Sequence, residues 1–159
     1  MREMSEIFAS ARLQSTIDRN YATKRKKIRD AYSLIREYNS LENGEITDKI
    51  KEKAQEYFCS CNGMDSSEIN PSEVPDERVL TCVNGIREKA GDYVLQFYRS
   101  YKRKADKEGY RAEALSNAYQ DMQLSHRLYC LVNGLEENTK VTIEEIEELV
   151  SKINEDKLK

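Results

Sequence analysis

DERVLTCVNGIREKAGDYVLQFYRSYKRKADK, residues 76–107, decides the fold class. Within it Val79, Val83, Ile86, Ala90, Tyr93, Phe97 and Tyr101 recur at intervals of 4-3-4-3-4-4. That is the repeat of one buried face on an α-helix, and no strand has it. The register passes straight through Gly85 and Gly91. One continuous helix carrying both glycines is therefore expected over 76–107, at about 1 kcal/mol for each glycine relative to alanine, with a break at Asn84-Gly85 as the alternative. Close approach of a neighbouring helix is a physical reason to keep them.

The same periodicity extends in both directions. Towards the N-terminus, Thr47 is a good N-cap with Asp48 in the first turn. Ile46, Ile50, Ala54, Tyr57 and Cys61 then form a short stripe, so a helix is expected over 47–62. Between the two helices, residues 63–75 hold Pro71, Pro75 and a run of acids and serines, the one clear loop. Towards the C-terminus, Leu115, Tyr119, Met122, His126 and Tyr129 share a face, which gives a helix over 111–133. Thr142 and Glu145 make a capping box, with Val141 and Ile146 as its hydrophobic staple, opening a helix over 142–156.

The first helix is expected over 5–42, from an N-cap at Ser5. Ile7, Gln14, Tyr21, Ile28 and Ile35 fall at one heptad position, and Ser10, Ile17, Lys24, Ala31 and Tyr38 at the other. A helix that long spans ~55 Å, more than a compact domain of this size is wide. Its apolar stripe is also thin. Both features point to a coiled-coil seam through Tyr21, Ile28 and Ile35 that meets a second chain, and so to a homo-oligomer. The expected architecture is a single all-α domain over 1–159, a bundle of about five helices. Helices one, three and four are antiparallel pillars, and the shorter second and fifth pack beside them.

Composition agrees with a helical bundle. The 159 residues include only 2 Pro and 6 Gly. Charged residues make up 35% and mean hydropathy is −0.82, which leaves no apolar run near the ~20 residues of a membrane span. Residues 1–13 carry charge throughout and hold no apolar signal core. Four cysteines without a signal peptide read as free thiols in a reducing compartment, so a cytoplasmic location is expected.

The side chains offer little chemistry. Cys59, Cys61, Cys82 and Cys130 do not have zinc-pair spacing, and His126 is the only histidine. Phosphate loops, nucleophile elbows and paired metal motifs are missing. No cofactor or metal is expected, and the chain reads as a non-enzymatic interaction protein: an adaptor, an inhibitor or a subunit of a larger assembly.

Two features could carry such a role. The chain has 10 Tyr against 3 Phe and no Trp, and Tyr98, Tyr101 and Tyr110 are interleaved with Arg99, Lys102, Arg103 and Lys104. Tyr and Arg are the side chains enriched at interface hot spots. The second feature is a basic run, Lys24, Arg25, Lys26, Lys27 and Arg29, broken only by Ile28. These cations cover every side of a helix. They make either a docking surface or a solvated segment whose repulsion is relieved by acids of the 64–77 loop or the C-terminal helix. An alternative function follows: a nucleic-acid-associated protein using the basic segments 24–29 and 99–111, with aromatics stacking bases and cations meeting phosphates.

Overall fold

The computed structural model describes residues 24–41, 44–64, 70–107 and 112–158. The expected helix over 5–23, the Ser5 cap, Tyr21, Tyr110 and the centre of the acidic loop lie outside the described residues. Within them the chain is an all-α helical bundle without strands. Helix α1 covers 24–39, α2 Asp48–Asn62, α3 Asp76–Asp106, α4 Ala112–Val132 and α5 Ile143–Leu158. A 3-10 turn, Pro71–Glu73, precedes α3.

The helix ends follow from local chemistry. Thr47 Oγ1 accepts from the Ile50 amide at 3.3 Å, and Thr142 Oγ1 from the Glu145 amide at 3.2 Å. Val141 and Ile146, the staple pair, are both buried. Gly63 and Gly134 take left-handed φ of 64° and 66°. The next amides, of Met64 and Leu135, reach back to the carbonyls of Cys59 and Cys130 at 2.9 and 2.8 Å, closing each helix with a Schellman bond. Helix α3 is unbroken at both internal glycines. Only Gly91 has the expected close neighbour: a Cβ there would sit 3.4 Å from Ile153 of α5, whereas one at Gly85 would meet nothing within 4 Å.

Helix directions can be read from side-chain pairs. Arg25, Tyr32 and Asn39 of α1 reach Asp121, Arg127 and Leu131 of α4, so these two helices run parallel. Lys24 and Lys27 lie beside Gln96 and Phe97, while Tyr38 lies under Arg87, so α3 runs antiparallel to α1 and hence to α4. Helix α2 meets α1 through Ser60 with Asp30 and Lys49 with Glu37, antiparallel to it. Helix α5 flanks α3 on another side, with Glu147 at Tyr98 and Ile153 at Gly91, again antiparallel.

All five helices contribute to one core, from Ile28, Leu34 and Ile35 through Ile50, Val83, Ile86, Phe97, Met122 and Leu128 to Ile146. This corrects the expected oligomer seam at Ile28 and Ile35. Ile28 and Ile35 are 0% and 1% exposed, covered by this chain's own helices. Their heptad spacing marks a buried face, and an intramolecular neighbour fills it.

Polar groups inside the core are paired. Gln123 holds the backbone of Val141 from both sides, Nε2 donating to its carbonyl at 2.7 Å and Oε1 accepting from its amide at 2.9 Å. The α4–α5 connection is thereby pinned to the middle of α4. The Tyr57 and Tyr93 hydroxyls meet at 2.7 Å between α2 and α3, and burial raises the pKa of both. Tyr32 donates to Glu137 at 2.6 Å and accepts from Arg127 at 2.8 Å.

Candidate docking surface

The basic run on α1 divides by position on the helix. Arg25 turns inward, its Nε 2.8 Å from the carboxylate of Asp121, which is 2% exposed on α4. Lys27 is half-buried, and Lys24, Lys26 and Arg29 are exposed. Acids near the run include Asp121 of α4, Glu56 of α2 close to Lys26 and, across a cleft, Asp92 of α3.

That cleft joins the first basic segment to the middle of α3. Lys24 and Lys27 of α1 line it with Lys89, Asp92, Tyr93, Gln96 and Phe97 of α3, around a volume of about 290 Å³. Asp92 is also ion-paired with Lys157 of α5. Lys89, Gln96, Arg99 and Arg103 are exposed and spaced 7-3-4, which sets them along one flank of α3. Lys24 and Lys27 therefore continue a cationic strip that runs along α3 to Arg99 and Arg103. Segments more than 60 residues apart in the chain form this single basic shoulder. Lys89 and Gln96 were not among the expected residues, although their seven-residue spacing to Arg103 was a readable sign.

The tyrosines hold a different position. Tyr98 and Tyr101 are half-buried and pack on the core. The Tyr101 ring lies 5.7 Å from that of Tyr119 at 59°, joining α3 to α4. Burial raises the Tyr98 pKa, and its bond to the Glu147 carboxylate adds to the rise. Both rings act chiefly as joints between helices. Lys102 and Lys104 are half-buried beside them, and Lys107 is exposed.

The opposite charge lies on the neighbouring flank. Ile146 and Ile153 turn α5 inward, which leaves Glu144, Glu145, Glu147, Glu148 and Glu155 exposed. Since Glu147 meets Tyr98, the acidic start of α5 stands level with Arg99 and Arg103. Exposed large apolar side chains are scattered among the described residues, at Met64, Leu80, Leu135 and Leu158.

Three of the four cysteines and the histidine are placed for packing. Cys59, Cys82 and Cys130 are buried; Cys61, expected to be buried, is exposed near the end of α2. Burial pushes the Cys82 thiol up to about 11 and raises that of Cys130. His126 Nδ1 is 3.7 Å from Cys130 Sγ, and burial lowers its pKa. Thiols held in their protonated form in this way are poor nucleophiles. Among the described residues no group of three or more His, Cys, Asp or Glu side chains could hold a metal ion. No described helix is long and apolar enough to cross a membrane. Set against known protein families, characterised proteins and solved structures, the chain matches none of them.

Proposed function

We propose that the chain is a non-enzymatic binding protein, an adaptor, inhibitor or subunit of a larger assembly, that docks an acidic protein surface on its basic shoulder. The observation that carries this reading is the convergence of Lys24, Lys27, Lys89, Arg99 and Arg103 from two helices onto one side. Cations gathered there raise the local potential for an acidic partner and repel a basic one. The scatter of exposed apolar side chains also favours a charged contact over an apolar one.

Nucleic acid is the second reading, since cations strung along a helix flank suit a phosphate backbone as well. A labelled polyglutamate peptide and a labelled single-stranded oligonucleotide separate the two. The protein reading expects tighter binding of the peptide, lost in the triple variant K27E/R99E/R103E. Preference for the oligonucleotide, with affinity falling steeply as salt rises, would reverse the order. Binding of neither probe by the monomeric chain at low salt would remove the shoulder as a docking site.

A further inference from the structure

We infer that the acidic surface taken by the shoulder is a second copy of this chain, which forms a closed two-fold dimer through paired charged flanks. The inference deepens the docking reading and rests on it. Its ground is the arrangement of charge around α3. Lys89, Arg99 and Arg103 line the exposed flank of α3, continuing towards Lys24 and Lys27, and the α5 acids lie on the next flank. Contact of Glu147 with Tyr98, and of Ile153 with Gly91, fixes α5 alongside α3. Glu144 and Glu148 therefore stand at the same height along the bundle as Arg99 and Arg103.

Opposite charges placed side by side at one height are complementary to themselves. A two-fold axis that runs between them, parallel to the helices, turns a second copy face to face with the first. The rotation keeps each residue at its height and exchanges left for right. The arginine flank of each copy then faces the glutamate flank of the other, and both contacts form at once. Such an isologous contact closes at two copies. An axis perpendicular to the helices would set cations against cations, so the charge pattern selects one orientation.

The test is a charge exchange on the full chain, read by sedimentation velocity with circular dichroism as a check on folding. One variant, R99E/R103E, carries acids on both flanks. The other, E144K/E148K, carries cations on both. All four positions are exposed, so both variants should fold. The wild type is expected to dimerise at low salt, at least 10-fold more weakly at about 0.5 M salt, where screening is short-ranged. Each variant alone should be monomeric, and an equimolar mixture should form a heterodimer, because both of its contacts are complementary again. A monomeric wild type that still binds the polyglutamate peptide overturns the dimer and leaves the docking reading standing. A monomeric wild type that binds no acidic probe overturns both. A dimer that neither variant disturbs, or a mixture that stays monomeric, also overturns the inference.

Discussion

Asp121 is the side chain that draws the basic run into the fold. A carboxylate 2% exposed needs a cation, and Arg25 supplies it from the parallel helix. Replacing Arg25 with Met keeps most of its packing but removes that charge, and should cost about 3 kcal/mol in urea denaturation. Replacing Lys24 or Lys26, both exposed, should change stability by less than about 0.5 kcal/mol. Sequence alone could not separate Arg25 from its neighbours, because five adjacent cations share one composition. Only the position of a distant acid distinguishes them. The Tyr57–Tyr93 pair sets a pH limit in the same way. Burial raises both tyrosine pKa values in the folded state, so their contribution is full below about 10, the unfolded value. It falls as pH rises further, because the unfolded chain then releases protons that the folded chain keeps. Melting temperature should thus drop as the pH rises beyond about 10. The double variant Y57F/Y93F should flatten that drop without abolishing it, since Tyr32 and Tyr98 are raised too.

At the scale of elements, what the sequence made legible was what local chemistry decides. The caps at Thr47 and Thr142, the left-handed glycines and the unbroken α3 stripe each depend on residues within a few positions of one another. Gly85 and Gly91 look alike on that basis, and the structure separates them. Gly85→Ala fills open space on a helix and should stabilise by about 0.5–1 kcal/mol. Gly91→Ala sets its methyl in van der Waals contact with Ile153 and should stabilise by no more than Gly85→Ala does; thermal melts of the two variants make the comparison. Gln123 was invisible because its partner is the backbone of a residue in the α4–α5 connection. Gln123→Leu strips two hydrogen bonds from buried Val141 and should cost about 2 kcal/mol or more. Hydrogen exchange should show the added mobility concentrated in residues 135–158.

Across the whole molecule, periodicity identified the buried faces but not what covers them. The heptad positions of Ile28 and Ile35 suit a partner chain and a neighbouring helix equally well. The core supplies the answer through α2, α3 and α4. A lysine at Ile28 would bury an unpaired charge, so Ile28→Lys should abolish cooperative folding by circular dichroism. A well-folded monomer in its place would restore the seam. The placement of Tyr98 and Tyr101 follows the same logic: their stripe register signalled the core, and their basic neighbours signalled a surface. The flanks around α3 have one more consequence. With cations along one side and glutamates along the next, the bundle is an electric dipole lying across its long axis. A charged body approaching in solution exerts a torque on it before any side chains touch. The chain meets such a body already rotated into register, and most wrong orientations are turned away before contact.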